Sequence, residues 1–319
     1  MSKKVFVFCP GGVVTGGPEL LHQFTHELRN AGVDAQMIYY PIGNEYSVPE
    51  RYQHYDVKIS RFDRAQIKDQ IVVVPEVVTV FLNSLPRCSA FIWWLSVDNY
   101  FFGEIDNPTK RVSSILKGGK LSVYAMKKYK HLVQSEYARL FLLKHEIESE
   151  MLTDYLNEKH LTPVSENIQR HNIIAFNPAK GIEVTKYLIE NNPDFKFIPI
   201  ANMTPEQVKN LLLQSKVYID FGSHPGKDRF PREAAMAGCC IVTGIKGSAR
   251  NHVDIPIPDS YKLDSDSDEF LSKFRMLILS IFNDFAIMIK DFDGYKKIIC
   301  DEPIHFKNQV RDFVGKYCS

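Results

Sequence analysis

A cationic, glycine-containing loop between Phe221 and Glu233 carries the residue types of this chain that are best suited to chemistry. It contains Lys227 and Arg229, and it leads into a helix of small residues that is predicted to begin near Ala234, with Glu233 in its first turn. Backbone N–H groups at a helix start, with lysine and arginine beside them, bind phosphate groups. Glu233 either accepts hydrogen bonds from ribose hydroxyls or only stabilises the helix dipole. The pattern predicts a nucleoside-diphosphate site, as in enzymes that use sugar nucleotides.

Two further turns are predicted to face the same phosphates. Asn177 and Lys180 lie in the turn N-P-A-K-G, directly after a strand-like run. Gly247 and Ser248 lie in a glycine-rich turn after another such run. A lysine near a helix start is often merely solvated, and a glycine-rich turn is often a plain connection, so these alternatives stay open. The functional interpretation gains weight because parallel strands would bring Lys180 to the same sheet edge as the cationic loop.

A third glycine-rich loop, Cys9–Glu19, follows the first strand-like run and contains Gly16 and Gly17. Glycines let a ligand approach the backbone, although they also serve simply to close a turn. The spacing does not give G-x-G-x-x-G, and Pro18 and Glu19 stand where a P-loop needs a lysine and a hydroxyl. The loop therefore supports neither a dehydrogenase nor an NTPase.

Short β-branched or aromatic runs alternate with helical patterns twice along the chain, which is typical of parallel sheets built from β-α-β units. We predict two doubly wound domains that face each other across a crevice at the carboxyl ends of their strands. The predicted strands are Val5–Phe8, Ala35–Tyr40, Ile71–Val74, Phe91–Leu95, His131–Gln134, Asn172–Phe176, Phe195–Ile200, Val217–Phe221 and Cys239–Thr243. The predicted helices include Gly181–Glu190, Pro205–Gln214 and a last helix, Ile304–Tyr317.

The first domain is predicted to span residues 1–160 and the second residues 161–303, with the boundary in the polar segment Asn157–Gln169. The last helix, about residues 304–319, is predicted to cross back to the first domain. The longest apolar stretch, Met276–Ile289, is interrupted by polar residues and is too short to span a bilayer. A buried helix is the better interpretation of that stretch.

The composition is that of an ordinary globular protein, with a net charge of +1, 24% charged residues and 45% hydrophobic residues. Such a balance shows no bias toward polyanions, so nucleic acid is not an expected partner. The six cysteines form no C-x-x-C pair, and the N-terminus lacks the apolar segment of a signal peptide. We expect reduced thiols and a cytoplasmic protein.

Two of the motifs resemble a known family. N-P-A-K-G at Asn177–Gly181 and P-G-K-D-R-F-P-R-E-A at Pro225–Ala234 are similar to the C-terminal domain of GT-B glycosyltransferases of the group 1, GT4-like kind, especially small bacterial polysaccharide enzymes. The glycine loop before Pro18-Glu19 and the segments Trp93–Asn99 and Gln134–Tyr137 extend the resemblance over nearly the whole chain. It implies a GT-B fold, with two Rossmann-like domains facing a central cleft, and glycosyltransferase activity.

By that resemblance Lys180 holds the donor diphosphate and Glu233 holds the donor ribose. Gly16 and Gly17 border the transferred sugar. The transfer is expected to retain the anomeric configuration, with the leaving diphosphate taking the acceptor proton. Lys180, Lys227, Arg229 and a helix N-terminus are expected to stabilise its charge. The chain has no D-x-D motif, so we predict no metal, and the nucleoside-diphosphate sugar is a co-substrate without a further cofactor.

The chain departs from the family pattern at one position. Pro225 stands eight positions before the ribose-binding glutamate, where many GT4-like enzymes carry another glutamate against the donor sugar. Recognition of the sugar is then expected from His224, Asp228 or the backbone of Gly226. Asp98, which follows an apolar strand of the first domain, either faces the acceptor hydroxyl as a catalytic carboxylate or only caps a helix or turn.

The sequence thus predicts transfer of a sugar from a nucleoside-diphosphate donor to a glycan, free or lipid-linked, in bacterial surface polysaccharide synthesis. Lys110–Lys130 carries seven cations and no acidic residue, so it is either a solvated face or a patch that docks on anionic lipid. Two alternatives stay open. One is a sugar-nucleotide epimerase or hydrolase of the same fold, which would turn over donor without acceptor. The other is a non-catalytic partner subunit, which the missing glutamate would suit.

Overall fold

The computed structural model of the protein describes residues 3–101, 110, 112–113, 119–161 and 168–318. The chain divides into two compact units, which we call the first unit (Met1–Asp154 with Pro303–Ser319) and the second unit (Tyr155–Glu302). The chain enters the second unit just ahead of the predicted boundary segment, Asn157–Gln169. Residues 162–167 of that segment lie outside the described part of the chain.

Within the described residues, the first unit contains a parallel sheet of seven strands in the order β3-β2-β1-β4-β5-β6-β7. The strands are β1 Val5–Pro10, β2 Ala35–Tyr40, β3 Lys58–Ile59, β4 Ile71–Pro75, β5 Ser89–Trp94, β6 Lys130–Val133 and β7 Glu150–Met151. The helices are α1 Gly16–Asn30, α2 Arg64–Ile67, α3 Val97–Tyr100, α4 Val123–Met126 and α5 Glu136–Lys144, with 3₁₀ helices at Glu50–Tyr52 and Glu76–Asn83. Because β1 lies between β2 and β4, the connections after β1 and β4 leave the sheet in opposite directions and open a crevice at the carboxyl ends of these strands.

The core of the first unit follows from its sequence patterns. The apolar residues Val5–Cys9 of β1 are wholly buried, as expected for a central parallel strand covered on both faces. The predicted face of α1 is buried as well, and its Phe24 ring lies 5.2 Å from the ring of Trp93 and 5.4 Å from that of Phe313. The end of the chain thus supplies part of this core.

The second unit contains, among its described residues, a parallel sheet of four strands in the order β11-β10-β8-β9. The strands are β8 His171–Phe176, β9 Lys196–Pro199, β10 Ser215–Asp220 and β11 Cys240–Thr243. The helices are α6 Glu158–Leu161, α7 Ile182–Asn191, α8 Pro205–Gln214, α9 Arg229–Met236, α10 Phe270–Asn283 and α11 Phe285–Met288, with 3₁₀ helices at Gly247–Arg250, Asp259–Tyr261 and Ile289–Phe292. The last helix, α12 Asp293–Tyr317, begins in the second unit and belongs to the first unit from Pro303 onward. Since β8 lies between β9 and β10, the strand order reverses here and the loops after β8 and β10 meet at one edge.

The nine predicted strands are confirmed to within two residues at each end, and β3 and β7 are additional two-residue strands. The last helix begins earlier than predicted, at Asp293, and continues through Pro303. Its apolar residues keep helical spacing across the proline: Tyr295 and Ile299 are buried before it, and Phe306 and Phe313 after it. This packing outweighs the one backbone hydrogen bond that a proline removes.

None of the helices in the described part of the chain combines the length and the apolar character that a membrane crossing needs. The six cysteines all lie in described residues and are free thiols. Burial raises the pKa of several of them, for example that of Cys240 to about 12.

Candidate functional site

Lys180 is presented by a tight turn between β8 and α7. The side chain of Asn177 accepts a hydrogen bond from the Ala179 N–H at 3.0 Å, which fixes the turn. Gly181 has a φ of 59°, and a Cβ at this position would overlap the carbonyl of Phe221, at the start of the loop after β10. Only glycine permits this close approach. The sequence therefore brings Lys180 directly against the cationic loop.

The Lys180 ammonium donates to Asp228 Oδ1 at 2.6 Å, and 32% of the Lys180 side chain remains exposed. Asp228 is largely buried, and burial alone would raise its pKa. His224 and Lys180 outweigh that effect and hold the pKa of Asp228 below its ordinary value. The lysine is thus a fixed, accessible cation at the carboxyl edge of the sheet.

His224 lies behind this ion pair and is wholly buried, with 0% of its surface exposed. Its Nδ1 is 3.0 Å from Asp228 Oδ2, and its Nε2 is 3.2 Å from the Asp220 carbonyl and 3.4 Å from Asp220 Oδ1. Burial opposes a charge on the ring, but Asp220 and Asp228 together raise the pKa of His224 above its ordinary value. Because the side chain does not reach the surface, the prediction that His224 contacts the donor sugar is wrong for this conformation.

Gly247 and Ser248 support the loop from behind. Gly247 has a φ of 54°, and a Cβ there would overlap the carbonyl oxygens of Ser223 and His224. The Ser248 N–H donates to the His224 carbonyl at 2.9 Å, and its hydroxyl donates to the Gly226 carbonyl at 2.6 Å. Ser248 is fully buried with both groups in use, so its predicted contact with the donor is corrected to a structural role. Gly226 is also buried, and its carbonyl serves this contact.

Helix α9 begins at Arg229, so Glu233 lies in its second turn and not in the first, as the sequence had suggested. The helix-dipole explanation of Glu233 is therefore wrong, since that effect is confined to the first turn. Arg229 Nε lies 3.5 Å from Glu233 Oε1, and His160 Nε2 lies 3.7 Å from the same oxygen. Only 11% of the Glu233 side chain is exposed, and its carboxylate lies between these two groups. Arg229 and Glu233 thus pair on the helix that starts directly after Asp228, and we call Lys180, Asp228, Arg229 and Glu233 together the candidate patch.

Asp228 occupies the N-cap position of α9, where aspartate usually accepts hydrogen bonds from the first amides of its helix. Here its side chain turns away from the helix toward Lys180 and His224. The start of α9 is left without that side-chain cap, beside the ammonium of Lys180. This combination suits an anionic group.

Lys227 does not join this patch. Its ammonium lies 2.7 Å from Glu302 Oε1, and the guanidinium of Arg232 lies 2.8 Å from Glu302 Oε2. Glu302 and Arg232 are almost wholly buried, so the two cations neutralise a carboxylate inside the second unit. The prediction that Lys227 binds a phosphate is corrected to a structural role.

In the first unit, Gly16 and Gly17 form the start of α1 directly after the β1 loop, with Gly16 exposed and Gly17 half-buried. Asp98 lies in the short helix α3 after β5 and is 5% exposed. Ser96 caps α3 through its hydroxyl, so the alternative in which Asp98 is the cap is wrong. The Tyr137 hydroxyl donates to Asp98 Oδ1 at 3.0 Å. Asp98 and Tyr137 belong to two of the motifs that carried the resemblance.

Sequence reasoning missed two residues that hold α3. Glu76 accepts a hydrogen bond from the Leu95 N–H at 2.9 Å, just before the helix. The Lys120 ammonium donates to the carbonyls of Asn99 at 3.0 Å and Tyr100 at 2.8 Å, at the other end. The Glu76 carboxylate and the Lys120 ammonium thus hydrogen-bond to the backbone at the two ends of the segment that carries Asp98. Glu76 could have been found, since it directly follows the apolar strand β4, whereas Lys120 is hidden in a basic run.

Burial raises the pKa of Glu76 to about 7, against an ordinary value of 4.5. Between these two pH values the folded state keeps a proton that the unfolded state has lost, so stability falls as the pH rises through this window. We expect the free energy of unfolding of the wild type to fall by about 1–3 kcal/mol from pH 5 to pH 7 through this group. Glu76→Gln should abolish that part of the slope in urea denaturation curves. Identical slopes in the two proteins would contradict the assignment.

Asp220, His224 and Asp228 form the one group of potential metal ligands that converge among the described residues, with ligand atoms within 4.8 Å of one another. The Lys180 ammonium already forms an ion pair with the Asp228 carboxylate, and both ring nitrogens of His224 face oxygen atoms. A divalent cation would have to displace this lysine. The arrangement fits an ion-pair network better than a metal centre, and metal independence stays a prediction.

No protein-family profile matches the chain, and no curated protein matches it in sequence. Solved structures match it over nearly its whole length. HepE of Anabaena, solved with UDP and glucose, aligns with a TM-score of 0.70 at 10% identity over 98% of this chain and 100% of that one. Sucrose-phosphate synthase of Thermosynechococcus elongatus gives 0.69 at 9% identity over 98% and 99%. TarM gives 0.71 at 9% identity over 100% and 99%.

These structures share the GT-B architecture of two Rossmann-like domains, and the alignments confirm the predicted fold class for this chain. Identities near 10% show the fold alone. Membership of the GT4-like group stays a prediction.

Proposed function

We propose that the protein is a glycosyltransferase that moves a sugar from a nucleoside-diphosphate donor to a glycan acceptor. The observation that carries this proposal is the ion pair between Lys180, after β8, and Asp228, after β10, with Arg229 and Glu233 paired on the helix that starts directly after Asp228. A ligand of an open α/β sheet binds at the carboxyl ends of the strands, where the strand order reverses. HepE, which has the same fold, was solved with UDP-glucose and with UDP, which supports a nucleoside-diphosphate donor here.

In the proposed reaction the donor diphosphate lies against Lys180 and the start of α9, and Glu233 accepts from the ribose hydroxyls. As the bond to the sugar breaks, negative charge grows on the leaving phosphate. Fixed cations and helix amides aimed at that charge stabilise the transition state more than the ground state. Lys180 is held in place by Asp228, and Arg229 lies within reach of Glu233, so neither has to reorganise when the charge develops.

We infer that the first unit binds the acceptor, with Asp98 facing its hydroxyl and Gly16 and Gly17 bordering the transferred sugar. Asp98 lies in α3, just after the apolar strand β5, and accepts a hydrogen bond from the Tyr137 hydroxyl. The leaving diphosphate takes the acceptor proton in a retaining transfer, so Asp98 need not be a strong base. We infer no cofactor beyond the sugar nucleotide.

The acceptor that we infer is a glycan of bacterial surface polysaccharide synthesis, free or lipid-linked, with the enzyme in the cytoplasm. Peripheral contact with anionic membrane through Lys110–Lys130 stays part of this proposal. Several of its cations already have partners: Lys120 is buried on carbonyls, Lys127 lies 3.0 Å from Glu146, and Lys130 lies 4.1 Å from the centre of the Tyr317 ring. Arg111 and Lys117 lie outside the described residues. Vesicle flotation with and without anionic lipid tests the contact.

The donor site is tested by the melting temperature of the purified protein with UDP, GDP and dTDP. A ligand that binds only the folded state stabilises it by mass action, by about 2.7 kcal/mol at a concentration of 100 times its Kd. We expect one of the three nucleotides to raise the melting temperature by several degrees. The same nucleotide should have little effect on Lys180→Ala. If none of the three shifts the wild-type melting temperature, the donor-site assignment fails.

A further inference from the structure

His224 is a buried ionisable residue of the second unit to which the proposed reaction gives no role. Its backbone has a φ of 48°, a left-handed conformation that is unfavourable for a residue with a side chain. Gly247 and Ser248 hold it there by close packing and by the hydrogen bond to its carbonyl. Such strain persists where the surroundings over-determine a conformation, and this conformation turns the imidazole inward between two carboxylates.

Both ring nitrogens of His224 lie against oxygen atoms. Nε2 faces the carbonyl and the carboxylate of Asp220, and Nδ1 faces Asp228 Oδ2 at 3.0 Å. A neutral imidazole carries one proton, so one nitrogen would point a lone pair at an acceptor. Only the doubly protonated ring is attracted at both ends. Among the described residues, neither Nδ1 nor Asp228 Oδ2 has a hydrogen-bond partner, so their ion pair is what compensates their burial.

The other groups around this ring are accounted for. Asp220 also accepts from the Gly222 N–H at 3.0 Å and from the Tyr218 hydroxyl at 3.1 Å. Asp228 accepts from Lys180 on its other oxygen. Two carboxylates therefore face two cations, His224 inside and Lys180 at the surface. If the ring lost its charge, Lys180 would be left to balance both carboxylates.

We propose that His224 is a positioning residue. As a buried cation it holds the Asp228 carboxylate away from the start of α9 and in line with Lys180. It thereby sets the place and the net charge of the donor-diphosphate site. The inference rests on the proposed function of this site. With the imidazolium present, Asp228 is paired from behind, and the Lys180 charge remains available to phosphate. With a neutral ring, either the lone pair of Nδ1 repels the Asp228 carboxylate, or that carboxylate competes with phosphate for the Lys180 ammonium. Diphosphate binding weakens in both cases.

The test is calorimetric titration with UDP, or with whichever of UDP, GDP and dTDP the melting panel selects, between pH 7 and pH 9. The terminal phosphate of the nucleotide is ionised throughout this range, since its pKa lies near 6. We expect wild-type affinity to fall as the pH rises and the ring loses its proton. His224→Gln should bind roughly tenfold more weakly at pH 7, because the ion pair that holds Asp228 is lost, and its affinity should not change across the range.

Asp228→Asn is the matched variant, because it removes the carboxylate that His224 holds. The double variant His224→Gln with Asp228→Asn should bind no more weakly than the weaker single variant, since both changes break the same chain of contacts. If His224 had a merely structural role, the losses of nucleotide affinity in the two single variants would add up in the double variant. The affinity of wild type and of His224→Gln would then also change with pH in parallel. Either of these results, or unchanged affinity in His224→Gln, would overturn the inference.

A second measurement does not depend on folding of a variant or on nucleotide binding. The ring carbon resonances of His224 in the wild type, followed by NMR against pH, report its protonation directly. We expect both ring protons to be present at pH 7, and a neutral ring at this pH would overturn the inference. If no nucleotide binds while the ring is charged, the proposed function is lost and the electrostatic role of His224 toward Asp228 and Lys180 stands.

Discussion

Replacing Lys180 and Arg229 together with alanine should lower the rate of donor turnover roughly 100- to 1,000-fold, with the protein still folded. Lys180 lies in the turn after β8, and Arg229 is the first residue of α9, after the loop that follows β10. Negative charge grows on the leaving phosphate in the transition state, so the loss of these cations should lower kcat as well as donor binding. The folded state also loses two largely buried ion pairs, so the rate is compared at a temperature where the thermal melts show each variant to be folded.

The rate would be measured as nucleoside diphosphate released from the selected sugar nucleotide, with thermal melts of each variant in parallel. Lys186→Ala is the matched control. Lys186 is a lysine of the adjacent helix α7, with 60% of its side chain exposed and a loose contact of 3.9 Å to Glu183. It should behave as wild type. A near-normal rate of nucleoside-diphosphate release in the double variant would contradict the chemical role of Lys180 and Arg229.

Gly247→Ala should lower the free energy of unfolding by about 2–5 kcal/mol. An alanine here meets two separate penalties. The φ of 54° is strained for any residue with a Cβ, and that Cβ would overlap the carbonyls of Ser223 and His224. Relief requires the loop to move away from Gly247. Since that loop continues to Asp228, the variant should also weaken nucleotide binding.

Gly12→Ala separates the two penalties. Gly12 has a φ of 71°, but a Cβ there meets open space among the described residues. It should therefore show the conformational cost alone, about 1 kcal/mol. Urea denaturation of both variants measures the difference. Equal losses of unfolding free energy in Gly247→Ala and Gly12→Ala would show that the close packing behind the loop does not contribute to stability.

The turn at Lys180 could be predicted from the sequence because its signals are local. Asn177 starts the turn, Gly181 ends it with a positive φ, and the strand before it is a plain apolar run. The strands were predictable for the same reason: buried parallel strands are continuous apolar runs. The two-residue strands β3 and β7 carry too few residues to form any such pattern.

The role of Lys227 could not be predicted, because its partner Glu302 is distant in sequence. Lys227 and Arg229 look alike in the sequence, yet Lys227 pairs with Glu302 and Arg229 with Glu233. The inward turn of His224 depends on Gly247, whose backbone occupies the space behind it. Helix α9 begins at Arg229, ahead of the predicted start near Ala234, with Pro231 in its first turn.

Tyr155–Glu302 is a contiguous stretch of chain, whereas the first unit is completed only by Pro303–Ser319. Phe313 contacts the rings of Phe24 and Phe91, and the Lys3 N–H donates to the Cys318 carbonyl. During synthesis, every residue of the second unit is therefore made before the segment that completes the first unit. We expect the second unit to complete its fold first, although most of the first unit is synthesised earlier.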